Sequence, residues 1–248
     1  MAVGAVGGFA AGAATGSPWL GVAAAVLAGM LTAVPFAVLT QTLLTNQVAT
    51  GLALTLFGLG LSGLLGEPFT GAPGRKLELG QEVIVSAYFA LAAGAAWFFS
   101  RTRAGLVVQA VGGNHDSAHA LGYPVVRIRY ACILFGGACA GLAGGYLSLV
   151  YTPQWVESMT AGRGWIALAL VVFGTWNPLR VLFGAYAFGA VWILGLHAQG
   201  FGLGIAPQLL SALPYAMTIL VLVFLSGRAR SPARGIPACL GLPFVTSQ

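Results

Sequence analysis

Charge is almost missing from this chain. Only 6% of the 248 residues are Asp, Glu, Lys or Arg, and Lys76 is the sole lysine. A water-soluble domain typically carries about 25% charged residues, so a purely soluble fold is excluded. No G-x-x-x-x-G-K-[ST] loop occurs, and without that phosphate cradle the chain is not a P-loop ATPase. The apolar stretches hold no relay of ionisable residues of the kind that proton-coupled carriers and pumps use. Cysteine is scarce as well. Cys132 and Cys139 lie seven apart, Cys239 stands in the tail, and with no CxxC pair all three read as small core fillers. His115 and His119 are spaced i, i+4, but Asp116 is the only further ligand type nearby, so no metal site is predicted, and no cofactor.

What is abundant is apolar, 58% of the chain. The apolar runs have helical length and lack barrel-strand alternation, which predicts an all-α integral membrane protein, a polytopic helix bundle rather than a β-barrel. Eight segments, some short or broken, are expected to span: 2–14, 19–44, 48–66, 83–100, 131–151, 164–176, 181–196 and 209–225. They form a transmembrane domain over 1–226 that contains a cytoplasmic loop at 101–130, and 227–248 reads as a cytoplasmic tail. Placing that loop inside puts Arg101, Arg103, Arg127, Arg129, Arg180, Arg228, Arg230 and Arg234 on the inner face, eight of eleven basic residues, as the positive-inside rule requires. Both termini then lie inside. Arg75, Lys76 and Arg163 fall outside with Glu67, Glu78, Glu82 and Glu157. The net charge of +6 therefore reflects topology and attraction to anionic membrane lipid, and predicts no nucleic-acid partner.

Glycine, at 37 residues, gives the next signal. Gly137, Gly141 and Gly145 recur every four residues, as do Gly136, Ala140 and Gly144, and Gly58, Ser62 and Gly66 repeat the theme. Such ridges let helix backbones approach closely in lipid. Pro35 within 19–44 and the "GTWNPLR" stretch, with Asn177-Pro178, predict local breaks, which signal either a pathway or a packing kink.

Polarity is concentrated in "VGGNHDSAHALGYPVVRIRY", residues 111–130. Asn114 is a good N-cap, Asp116 suits the first turn, Gly122 suits a left-handed C-terminal position, and Pro124 forbids continuation. The pattern predicts a two-turn helix with Ala118 and Leu121 as a small apolar face, followed by Tyr123; where the His115 ring is solvated and holds no metal, its removal should matter little. Alone it is too short to be stable, so the rest of the protein or a partner supports it.

Four stretches in order carry a resemblance: "NQVATGLALTLFGLGLSGLLG" from Asn46, "AVGGNHDSAHALGYPVVRIRYACILFGGACAGLAGGYLSLV" from Ala110, "MTAGRGWIALALVVFGTWNPLR" from Met159 and "GRARSPA" from Gly227. Together they resemble permease subunits of bacterial ABC importers, in the group that takes up nucleosides and simple sugars and is related to the ribose and branched-chain amino acid permeases. The resemblance implies a permease of the bacterial inner membrane that works by alternating access. It further implies a separate ATP-binding subunit, a second permease subunit, preferably a different chain in a heterodimer, and a periplasmic or lipid-anchored solute-binding protein. Its coupling element, carried onto this sequence, comprises Gly113, Asn114, His115, Asp116, Ala118, Leu121, Gly122 and Tyr123.

For the substrate path the candidates are Asn46, Gln47, Phe57, Trp155, Glu157 and Trp165, with aromatics to stack a base and polar groups to meet ribose hydroxyls. Asn46 reads equally as the N-cap of its helix, and the two tryptophans as interfacial anchors. Members of that family begin with one or two further helices, including a stretch similar to "GVLNLGVEGMM", ahead of the position of Met1, which leads to the expectation of an incomplete bundle. Two alternatives remain open. Gly60-Leu61-Ser62-Gly63 matches the GxSG signature of rhomboid-type intramembrane proteases, with His197 as the base, and a passive channel would need neither partner nor ATP.

Overall fold

A computed structural model describes residues 1–71, 81–200 and 237–245, with isolated positions between 212 and 223. The expected span 209–225 and the charged residues Arg75, Lys76, Glu78, Arg228, Arg230 and Arg234 lie wholly or largely outside the described residues. The helices are α1 (Ala2–Thr15), α2 (Pro18–Ala37), α3 (Gln47–Gly66), α4 (Gln81–Arg101), α5 (Arg103–Gly113), α6 (His115–Ala120), α7 (Val125–Tyr146), α8 (Arg163–Phe173) and α9 (Pro178–Gly200). No strand occurs among the described residues, and the protein is an all-α membrane bundle.

Four helical stretches there are long and apolar enough to cross a membrane: Pro18–Thr42, Gln47–Phe69, Val125–Tyr151 and Pro178–Gly195. At about 1.5 Å per residue, the 14-residue α1 reaches only about 21 Å of a hydrocarbon core of about 30 Å. Two expectations need correction. Pro35 lies inside α2 without ending it; the irregularity comes later, in a π-helical turn at Val38–Thr42. The helix that carries the fifth expected span starts at Val125, ahead of 131: Pro124 is its N-cap, and Arg127 and Arg129 lie within its first turns.

The chain divides into two units, Met1–Gln81 with Ala110–Ala161 and Cys239–Gln248, and Glu82–Gln109 with Gly162–Ala238. In the first, α1, α2 and α7 meet through glycine. Half of α1 is buried: Val3, Gly4, Ala5, Val6, Gly8, Phe9 and Gly12. A Cβ at Gly4 would sit 2.6 Å from the Cα of Gly141, and one at Gly29 equally close to the same atom. Gly8 lies against Gly21, and Gly144 against the Ala5 nitrogen. These pairs run α1 parallel to α7 and α2 antiparallel to both. Burial of apolar surface drives no association between helices in lipid, so dispersion between backbones and buried hydrogen bonds hold the group. Ser148 supplies one such bond, its hydroxyl donating to the Ala5 carbonyl at 2.8 Å. The hydroxyl of Ser62 donates to the Ala2 carbonyl at 3.2 Å and ties α3 to α1.

Within the second unit, Thr102 turns α4 into α5: its hydroxyl donates to the Phe98 carbonyl at 2.6 Å and accepts from the Gly105 amide at 3.0 Å. Thr175 and Trp176, both with positive φ, carry the chain from α8 to α9. Asn177 caps α9 by accepting from the Leu179 amide at 3.1 Å, while Arg180 donates to the Thr175 hydroxyl at 2.7 Å. The expected turn at Asn177-Pro178 is therefore present and internally bonded.

Gly141→Val is expected to destabilise the first unit by at least about 1–3 kcal/mol, since added bulk would push into backbone. Gly136→Val on the same helix, where a Cβ meets nothing within 4 Å, should leave stability unchanged. Thermal unfolding of the two purified variants in detergent checks the contrast.

Candidate functional site

α6 is built by local rules. Asn114 has an extended backbone and its side chain accepts from the Ser117 amide at 3.0 Å, satisfying one of the free amides of a helix start. At the other end the amides of Gly122 and Tyr123 donate back to His119 (2.8 Å) and Ala118 (3.2 Å). Gly122 takes φ +86°, where a side chain would be strained. Pro124 then opens α7. The predicted short helix is thus present, six residues or about one and two-thirds turns long.

Its faces differ from the sequence expectation. Ala118 is buried at 2% exposure and Leu121 stands out at 77%, so the two do not share a face: one packs inward, the other presents an apolar tip beside half-exposed Tyr123. Nor is His115 solvated. Its ring is 8% exposed, with Nδ1 3.0 Å from Arg129 Nη2. A guanidinium has no acceptor, so Nδ1 must accept there, and the ring proton belongs on Nε2, 3.5 Å from Asp116 Oδ1. Gly113, Asn114, Asp116 and His119 remain exposed around Leu121.

A contact that the sequence reading does not anticipate involves 237–245. Phe244, 6% exposed, stands edge-on to the rings of both His115 (5.2 Å) and His119 (5.3 Å). Arg129 Nη1 donates to the Leu242 carbonyl at 3.0 Å, and the Cys239 amide donates to the Gly112 carbonyl at 3.0 Å. The available signal was compositional, an apolar "CLGLPFV" within a polar tail. Two histidines sharing one phenylalanine explain the i, i+4 spacing.

Within the first unit the substrate-path candidates are not gathered. Asn46 caps α3, its side chain accepting from the amides of Val48 (3.0 Å) and Ala49 (3.1 Å). Gln47 is half-buried beside it, and Phe57 is exposed on α3. Glu157, also exposed, lies beside Gly63, sixteen residues or about 24 Å along the helix from Gln47. Trp165 is exposed on α8, in the second unit. Trp155, at 3% exposure, is no interfacial anchor: it packs with Val6 and Phe9, against Phe69 and Met159, and its indole covers Gly66 so closely that a Cβ there would overlap it. A small pocket of about 10 Å³, room for about one water, lies next to this cluster, lined by Ala5, Leu59, Ser62, Met159 and two residues not singled out from sequence, Ser158 and Thr160.

Ser62 lies 7% exposed with its proton given to the Ala2 carbonyl, and His197 Nδ1 lies 3.0 Å from the carbonyl of Ile193 on its own helix. The packing ridge accounts for Ser62. Comparison with known proteins points the same way. Residues 1–222 match the model of a family described as branched-chain amino acid transport system / permease component. A protein of Haloferax volcanii, named as a glucose ABC transporter permease, is 38% identical over 279 residues, covering 97% of this chain and 85% of its own length. The guanosine ABC transporter permease of Bacillus subtilis is 31% identical, covering 91% and 79%, and a nucleoside ABC transporter permease of Lactococcus lactis is 33% identical over 55% and 44%. No solved structure matches. These are transport permeases, and the rhomboid alternative falls.

Trp155→Ala should therefore cost about 3–5 kcal/mol of stability, as removal of a packed indole does, and lower the yield of folded protein. A change in substrate affinity with unchanged stability, measured by ligand titration beside thermal unfolding, would return Trp155 to the substrate path.

Proposed function

Since this multi-pass chain belongs to the family of permease components of branched-chain amino acid type transport systems, we propose that it carries a sugar or nucleoside inward by alternating access, driven by ATP hydrolysis on a separate subunit. The observation that carries the reading is the capped α6, which presents Leu121 and Tyr123 on a polar surface at the head of α7. An apolar tip ringed by polar groups suits a pocket on a soluble partner, and α7 is continuous from that tip into the close-packed glycine group. A pull on α6 would thus reach the bundle directly.

The names of the relatives support the substrate class, with glucose in one and guanosine in another. Both compounds carry a polyhydroxylated ring. The arginine asymmetry supports a cytoplasmic α6 and C-terminal tail, in a cell with this protein in its inner or sole plasma membrane; Met1, beside Gly144 and so about 28 Å along α7 from its head, is not on that side. A solute-binding protein delivering substrate to the opposite face and a second permease subunit, preferably a different chain, complete the assembly. Uptake of labelled glucose, ribose and guanosine by cells expressing the complete transporter assigns the substrate; transport without ATP would overturn the reading in favour of a passive channel.

Leu121→Asp should lower association with the ATP-binding subunit by at least about tenfold, the equivalent of about 1.4 kcal/mol, because an unpaired charge would enter a desolvated contact. Insertion and folding should be unaffected. Ala118→Arg behaves differently, since a guanidinium has no space on the buried side of α6 and the variant should lose folded protein. Co-purification of the ATP-binding subunit, beside a stability measurement, checks both; wild-type association of Leu121→Asp would remove α6 from the docking role.

A further inference from the structure

Six residues make a helix that is marginal by itself, and a helix that transmits force must not turn under load. Three things hold α6. Ala118 is packed beneath it, Arg129 reaches it from the second turn of α7, and the segment Cys239–Phe244 lies over its flank. That segment is shaped for one purpose. Cys239 and Leu242 close a turn through a 3.2 Å amide-to-carbonyl bond, and Gly241 takes φ +77° within it. Leu240, Leu242 and Val245 stay exposed at 58%, 51% and 62%, while Phe244 alone is inserted. Arg129 joins the two sides: one arm donates to the Leu242 carbonyl and the other to His115.

We propose that Cys239–Phe244 is a clamp that fixes the orientation of α6, with Phe244 and Arg129 as positioning residues for the conversion of ATP hydrolysis into transport. The proposal rests on the reading of α6 as the docking element. Neither side chain belongs to the presented tip, since Phe244 is buried against the histidines and Arg129 points from α7 into the clamp. Loosening the clamp therefore leaves the docking surface present but lets α6 rotate when the partner moves, so that the stroke is spent on α6 rather than on the bundle.

The test uses the complete transporter in proteoliposomes and measures three quantities: ATP-binding subunit retained, ATP hydrolysed, and substrate moved per ATP. Phe244→Ala should retain the subunit and hydrolysis within about twofold while substrate moved per ATP falls at least about fivefold, the lower end of ordinary coupling effects. Amide exchange at Ser117 and Leu121 should rise in the same variant, and Phe244→Tyr, which keeps the ring, should restore both. Arg129→Gln should reproduce Phe244→Ala, and Arg129→Lys should not rescue, because one ammonium lacks the guanidinium fork that serves two partners; this pair carries the test if Phe244→Ala does not accumulate. A wild-type ratio with wild-type exchange in Phe244→Ala and Arg129→Gln would overturn the clamp, as would loss of the subunit as complete as in Leu121→Asp. Failure of the docking reading is seen separately, as unchanged association in Leu121→Asp.

Discussion

Leucine gains nothing against lipid when it leaves lipid, so the first unit depends on how closely three backbones approach. Gly4, Gly29 and Gly141 meet at one such point, and no side chain fits between them. Contacts of this kind are short-ranged, a gap of about 1 Å forfeiting up to about half of their energy, which makes α1, α2 and α7 a close-fitting group. Other features hang from it. Ser62 and Ser148 bond to carbonyls of α1, and Trp155 closes the cluster of Val6 and Phe9. The head of α7 carries Arg129 to α6.

α3 contrasts with that group. Only Ser62 and Gly66 of its twenty residues are buried, and Val48, Leu52, Leu56, Phe57, Leu64 and Leu65 are exposed. Its stability as a helix owes more to the Asn46 cap and to internal bonding than to neighbours, as expected where lipid solvates the outer face. The same contrast separates the polar features. The hydroxyls of Thr32, Thr40, Ser62 and Ser148 are bonded to backbone carbonyls, whereas the exposed carboxylates of Asp116 and Glu157 lie on the short α6 and in the segment between α7 and α8.

Features decided within a few residues were legible from sequence. Asn114, Gly122 and Pro124 mark a capped short helix by their own chemistry, and the four-residue spacing of Gly137, Gly141 and Gly145 marks a contact face without naming the partner. Asn177-Pro178 marks its turn in the same way. What needed distant chain was not legible. Ala118 and Leu121 lie three apart, and only the packing around α6 tells which points inward. Trp155 has the composition of an interfacial anchor and became core because Gly66 left a slot for it. Phe244 comes more than a hundred residues after the histidines it touches. Pro35 misled for a different reason: a helix in a bundle absorbs a missing amide, and the widening appeared a turn later.

The two sides of α6 answer to different parts of the molecule. His115 and Ala118 must satisfy this chain's own interior, while Leu121 is 77% exposed and bears little of its internal packing. Substitutions at Leu121 can accumulate without a folding defect, so duplicated copies of such a gene are free to diverge there. The inner side gives no such freedom, and lineages that diverge at the tip should still share it.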